Sequence, residues 1–349
     1  MEKHTDFVNF AGNDYLGLAR DSRLAEAANA AAQQLGISAS SSRWGLGWTE
    51  LHERLELGVA EFLHVEASCL LSSAYLGGLV YFSELAGAHD TVFCDELSHT
   101  NLTLGMKAAG FDIRTYRHLD ADDLARQLDE WNGKGPIIAS DAVFGISGEL
   151  APLARLRDLA REHDAELLID DAHGLFVLGQ HGRGASEMCG LSPGDATILG
   201  SMSKALGSSG GFLAGRSELA ERFRRSEPST SATPIPSSIA AASLEALQIV
   251  GKEPQRREQL NRNATHMRKI LSERGIGVVS CETPIVAMLM NDAAEARRLS
   301  DHFLTYDLRI PYFDYPSNPN DNLLRSIARS CHTPEQLQRF ANAITAFPP

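Results

Sequence analysis

The stretch SMSKALGSSGG (201–211) carries a single lysine, Lys204, among serine, alanine and glycine, directly after the apolar run ATILG (196–200). Three readings compete for it. A lysine in a glycine–serine loop is most often a solvated surface group. A P-loop needs Gly-x-x-x-x-Gly-Lys followed by Ser or Thr, and here Ser203 precedes the lysine and Ala205 follows it. A partly desolvated lysine can lose its proton and attack an aldehyde, and small neighbours let a flat cofactor lie against the backbone.

LLIDDAHG (167–174) puts Asp170 and His173 at the end of a second apolar run. The pair could hold a metal, or the acid could hold a protonated ring nitrogen and turn a pyridine into an electron sink. A metal wants further ligands; the chain has no H-x-H pattern, and its H-x-x-E patterns, at 163–166 and 332–335, lie outside this motif. The plainest alternative is a solvated turn. DELSHTN (95–101) adds His99, which alone reads as a structural or capping histidine but over the same pocket could stack on a planar ring. SSAYLGG (72–78) reads as a loop opening a helix, where free amides and the helix dipole favour a phosphate.

These residues need elements to position them. SCLLSS (68–73), TVFCDE (91–96), PIIASD (136–141), AELLID (165–170), ATILGS (196–201) and GGFLAG (210–215) read as buried strands. Between them run helical patterns such as LAPLARLRDLAREHD (150–164), with leucines at 150, 153, 156 and 159. Alternation of this kind predicts an α/β fold, a mostly parallel sheet covered on both faces, with ligands at the carboxyl ends of the strands. The polar motifs sit at those ends. SEPSTSATPIPSS (226–238) reads as an ordered loop before a long helix. Beyond it, IVAMLM (285–290), LRIPYF (308–313) and LLRSIA (323–328) suggest strands of a smaller α+β domain. A final helix follows Thr333 as N-cap, with Pro334 first and Gln336 completing a capping box. The expected division is an N-terminal segment 1–35, a large domain 36–240 and a small domain 241–349.

The bulk numbers narrow the partners. The 349 residues are 43% hydrophobic and carry a formal charge of −13, which disfavours nucleic acid or an anionic membrane as main partner. No apolar run approaches a membrane span, and the N-terminus lacks the apolar centre of a signal peptide. Five scattered cysteines without a C-x-x-C pair read as reduced core thiols of a cytoplasmic protein.

In chain order the motifs run phosphate-type loop, stacking histidine, acid, D-x-x-H, then S-x-x-K before a glycine pair. That order resembles the α-oxoamine synthase family of fold-type I pyridoxal 5'-phosphate (PLP) enzymes. The resemblance covers nearly the whole chain. It is carried by NFAGNDYLGLA (9–19), SSRWGLGWTELHERLE (41–56), DELSHTNL, IDDAHGLFVLGQHGRG, SMSKALGSSGG and LLRSIARSCHTPEQL (323–337). It implies a large domain with a seven-stranded sheet, a smaller C-terminal domain, and a homodimer sharing its active sites. The implied reaction condenses an amino acid with an acyl thioester, on CoA or a carrier protein, with decarboxylation to an aminoketone. Another PLP chemistry on the same scaffold, transamination or an aldolase-type cleavage, is the alternative.

The resemblance also implies roles. Lys204 binds the cofactor aldehyde and moves the α-proton, Asp170 holds the ring nitrogen, His99 stacks, and His173 bonds the phenolic oxygen. The amides of Ala74 and Tyr75, with Ser201, take the phosphate, and Thr230 or Ser231 reaches the phosphate of the neighbouring subunit. Asp141 is a further cofactor-side acid. Asn13 and Arg325 receive the substrate carboxylate, and Ser317 lines the acyl channel. Arg43 and His52 match family positions and are expected to support the fold. Gly145 stands where relatives carry a serine near the phenolic oxygen. The short stretch ahead of Asn13 lacks the arginine that a longer family arm offers to a pimeloyl chain.

Overall fold

The computed structural model describes residues 7–38, 40–313 and 322–348. The chain forms two compact units. The larger comprises residues 18–143 and 150–253, the smaller 1–17, 144–149 and 254–349. These bounds differ from the expected segments for concrete reasons. Helix Ser237–Lys252 runs unbroken past 240 and packs on helices Ser22–Leu35 and Glu50–Leu63. The 144–149 excursion is tied to the smaller unit where Thr283 Oγ1 donates to the Gly148 carbonyl at 3.0 Å.

The larger unit is built on seven strands: β1 (Ala67–Leu71), β2 (Thr91–Asp95), β3 (Asp112–Tyr116), β4 (Ile137–Asp141), β5 (Glu166–Asp170), β6 (Thr197–Ser201) and β7 (Gly211–Gly215). Their order is β1-β7-β6-β5-β4-β2-β3. β7 runs antiparallel to both neighbours, and the other pairings are parallel. Six strands coincide with the runs read from sequence. The seventh, β3, is DIRTY at the sheet edge, mostly exposed, and lacks the apolar content that marks a buried strand. One face of the sheet packs Cys69, Val92, Ile137, Leu168, Leu199 and Leu213 into a single core. Phe93, Ile138, Ile169 and Phe212 are buried as well. Burial on both faces explains why the runs are continuous rather than alternating.

Within the smaller unit, Ile285–Leu289 pairs antiparallel with Leu323–Ile327 and with Gly277–Val278. Val8–Asn9 pairs parallel with Leu308–Arg309, so the expected strand 308–313 is only two residues long before Pro311 removes a donor. The closing helix Pro334–Ala346 has the expected Thr333–Gln336 capping box. The expected loop 226–238 holds a short helix, Glu227–Ser231, capped by Ser226. Cys69 and Cys94 are core thiols as expected, but Cys331 is exposed.

Candidate active site

Two acids end neighbouring strands. Asp141 closes β4, Asp170 closes β5, and the two are register partners. Each is only 5% exposed. Burial, and then repulsion from Asp170, push the Asp141 carboxyl well above its ordinary range. Two groups oppose that shift: the His99 backbone N–H, which donates to Asp141 Oδ2 at 2.7 Å, and the Lys204 charge. The Lys204 charge thus acts on Asp141.

The stacking candidate is set by the next loop. His99 is the N-cap of helix Thr100–Ala109. Its ring meets Tyr75 edge-on, with centroids 6.1 Å apart and planes at 86°. Helices Gly77–Leu85 and Thr100–Ala109 can approach this closely because their crossing is glycine. A Cβ on Gly78 would fall 2.4 Å from the Asn101 carbonyl, and one on Gly105 2.4 Å from the Gly78 backbone. That crossing brings the 74–76 turn to His99.

Sequence reading passed over Asn101, two residues beyond His99. It is 3% exposed. Its Nδ2 donates to Asp170 Oδ2 at 2.9 Å, and its Oδ1 lies 2.8 Å from His99 Nδ1. The Ala172 N–H donates to Asp170 Oδ1 at 3.1 Å. His173 follows in the same loop, half-buried.

The phosphate-side residues also converge. Ser201 is the register partner of Gly211, and a Cβ on Gly211 would lie 2.3 Å from the Ala74 Cα. The glycine therefore lets the start of the 74–76 turn sit against the end of β6. The Ser201 hydroxyl is 2.9 Å from that of Ser203. Of the two expected amides, Tyr75 N–H donates to its capping Ser73 Oγ at 3.2 Å. Lys204 rides a closed turn in which Ser208 N–H donates to the Met202 carbonyl and Gly207 N–H to the Lys204 carbonyl, each at 3.0 Å. Thr230 Oγ1 donates to the Ser226 carbonyl of its own chain at 2.9 Å.

Arg43 and His52 belong to a supporting cluster. Arg43 pairs with buried Glu56 at 3.0 Å and lies 3.6 Å over the Trp48 ring. Glu56 also takes Arg224 at 3.0 Å and the Leu70 N–H at 2.8 Å. His52 Nε2 is 2.7 Å from the Ile235 carbonyl and completes a capping box with Thr49.

In the smaller unit, the N-D-Y and L-R-S-I-A-R motifs prove to be partners. Arg325 Nη2 donates to Asn13 Oδ1 at 2.7 Å. Asp14 forms an ion pair with Arg329. Buried Tyr15, its hydroxyl pushed up to about 12 by burial, interacts with Arg325. Ser317 lies outside the described residues.

The larger unit therefore presents two buried carboxyls, one of them in the field of a lysine, with a histidine ring and a serine-and-amide corner. Closely held acids of this kind suit a cationic heterocycle, which removes their repulsion. The serine corner against a helix-opening turn suits a phosphate. The chain matches the aminotransferase class I and II family over residues 5–344. It belongs to that family and, within it, is a PLP-dependent α-oxoamine synthase. It is 34% identical over 346 residues to an 8-amino-7-oxononanoate synthase of Symbiobacterium thermophilum, covering 98% of this chain and 88% of that one. It is 36% identical over 340 residues to the enzyme of that name from Alkalilimnicola ehrlichii, covering 97% and 87%. Among solved structures, a Sphingomonas wittichii serine palmitoyltransferase superposes with a TM-score of 0.93 at 25% identity, over 97% of this chain and 86% of that one. An 8-amino-7-oxononanoate synthase from Francisella tularensis superposes at 0.83 and 25% identity, over 97% of each chain.

Proposed function

We propose that this chain condenses an amino acid with an acyl thioester, releasing a thiol and carbon dioxide and leaving an α-aminoketone. The observation that carries this reading is the buried pair Asp141–Asp170, with the Lys204 charge acting on Asp141. Bound PLP supplies an electron sink for charge developing at the substrate's α-carbon. Asp170 would hold the ring nitrogen in its protonated form by a charge-assisted hydrogen bond, and Asp141 would add negative potential. His99 would cover the ring and His173 would hold the phenolic oxygen. Ser201 and the amides at Ala74 and Tyr75 take the phosphate, which requires Tyr75 N–H to exchange its Ser73 partner. Lys204 takes the α-proton and later returns one. An amine close to neutral pKa suits both steps. Asn13 and Arg325 are assigned to the substrate carboxylate, for which a planar guanidinium fork is well shaped, and Ser317 to the acyl channel. In balance, a carbon–carbon bond forms between the α-carbon and the acyl carbon, the carbon–sulfur bond breaks, and the carboxyl leaves as carbon dioxide.

We also propose a homodimer in which Thr230 serves the phosphate of the second copy. Four apolar side chains between residues 37 and 57 are exposed, Ile37 75%, Trp44 77%, Leu46 86% and Leu57 69%, which supports a pairing surface in this part of the chain. The formal charge of −13 supports small substrates rather than nucleic acid. No helix among the described residues is long and apolar enough to cross a membrane, and a cytoplasmic location is part of the same proposal.

The test pairs two measurements. α-Proton exchange with amino acid alone identifies the first substrate, and thiol release on adding acyl-CoA identifies the second. Lys204→Ala should abolish both and remove the visible absorbance of lysine-bound cofactor. Persistence of that absorbance would overturn the assignment, and conversion of cofactor to its pyridoxamine form would favour transamination.

A further inference from the structure

We infer that Asn101 is a positioning residue that ties the cofactor acid to the stacking histidine and fixes which nitrogen of His99 carries the proton. The inference rests on the cofactor reading above. The amide has only one workable orientation. Asp170 Oδ2, at 2.9 Å, accepts, so Nδ2 must face it. The Leu102 backbone N–H, at 2.8 Å, donates, so Oδ1 must face it. A flipped amide would set oxygen against a carboxylate and N–H against N–H. With Oδ1 thus fixed as acceptor, the 2.8 Å contact to His99 Nδ1 requires a proton on Nδ1. The Asn101 backbone N–H also points at Nδ1, from 3.3 Å, a longer bond that a bare Nδ1 accepts and a protonated Nδ1 gives up. A neutral His99 therefore keeps Nδ1–H and leaves Nε2 as an acceptor.

The result is a line from the buried Asp170 carboxylate through the buried Asn101 amide to the exposed His99 ring. It orients the carboxylate beneath the ring nitrogen and the imidazole over the ring face with one side chain. Asn101 is assigned no contact of its own with cofactor or substrate; it acts through Asp170 and His99. A serine at this position could reach one partner at most.

The experiment uses the PLP-loaded protein labelled with 15N-histidine. The His99 signals, identified by their loss in His99→Gln, report the tautomer directly. PLP affinity is measured by cofactor release. Wild type should show protonated Nδ1 and bare Nε2. Asn101→Ala should shift His99 toward the other tautomer or a mixture, and weaken PLP binding about tenfold or more, the scale of one lost hydrogen bond to a charged group. Asn101→Ser should move both readouts in the same direction by less, and carries the test should the alanine variant not fold. An unchanged tautomer, or unchanged PLP affinity, in a folded variant overturns the inference. A wild-type chain that fails to bind PLP would instead refute the proposed function, while its histidine signals would still report on the Asn101 contact.

Discussion

Replacing Asp141 with asparagine should make the cofactor-free protein more stable, although the substitution removes a charged hydrogen-bond acceptor. Asp141 and Asp170 are partners on adjacent strands, whose backbones lie about 5 Å apart. Two unit charges at that distance repel by about 3 kcal/mol at an effective dielectric of about 20. The native protein bears that repulsion or holds a proton on Asp141 against its ordinary affinity, and either course costs stability. Against this, the His99 N–H bond to a carboxylate becomes a bond to a neutral amide, a loss of about 1 kcal/mol. The attraction of the Lys204 charge for Asp141 is lost as well, so the net gain is at most about 2 kcal/mol at neutral pH. The pH dependence carries a definite sign. Asp141 binds its proton more tightly folded than unfolded. Wild-type stability therefore falls as pH rises from about 4, the ordinary aspartate value, through the raised one. The advantage of Asp141→Asn should vanish near pH 4 and grow toward neutrality. Urea unfolding of the apo chains followed by tryptophan fluorescence reads this in the right unit, since Trp44, Trp48 and Trp131 all belong to the larger one. A variant less stable than wild type at neutral pH, or a difference independent of pH, would refute the repulsion argument. With PLP bound the order should reverse, because the cationic ring turns the second carboxylate from a liability into an attraction.

Glu56→Gln should cost about 3–5 kcal/mol, the scale for breaking a buried pair, because it strips Arg43 and Arg224 of a shared carboxylate. The same urea titration measures it, and a loss under about 1 kcal/mol, the level of an exposed ion pair, would contradict the assignment. In the smaller unit, burial, aided by the Arg329 charge, pulls His332 down to about 4 despite its contact with the Asn9 carbonyl. It is neutral when folded and binds a proton more readily when unfolded, so stability falls as pH drops from about 6.5 to about 4, by about 3 kcal/mol in all. His332→Gln should flatten that slope in hydrogen-exchange protection of helix Pro334–Ala346, and an unaltered slope would refute it.

The candidate residues of the larger unit could be picked out in the sequence because they sit on strand ends. A strand that runs apolar to its last residue and then delivers aspartate or lysine has few purposes for that residue, and β5 and β6 deliver Asp170 and the Lys204 loop in that way. Edge strand β3 was hidden for the converse reason: half in water, DIRTY follows solvent rather than core. Pairwise relations were hidden too. Nothing in one-dimensional spacing sets Asp141 beside Asp170 at positions 29 apart, because register is fixed by the sheet, and the repulsion between them exists only after folding. The two-unit division follows the same logic. Asn13 and Arg325, or Asp14 and Arg329, are each ordinary residues until the chain's ends meet in one unit.

Asn101 marks the boundary between these cases. A polar residue two places after a histidine at a helix start reads as a capping side chain, and on local criteria that is all it is. What distinguishes it is burial to 3% together with a partner 69 positions away in sequence. An amide removed from water to that degree must satisfy both its oxygen and its nitrogen, so the residues it joins are forced into one hydrogen-bonded unit. The Asp170 carboxylate, the His99 imidazole and the protonation pattern of that imidazole then vary together. Substitutions at any one of them should be non-additive with Asn101 by the amount of the shared bond.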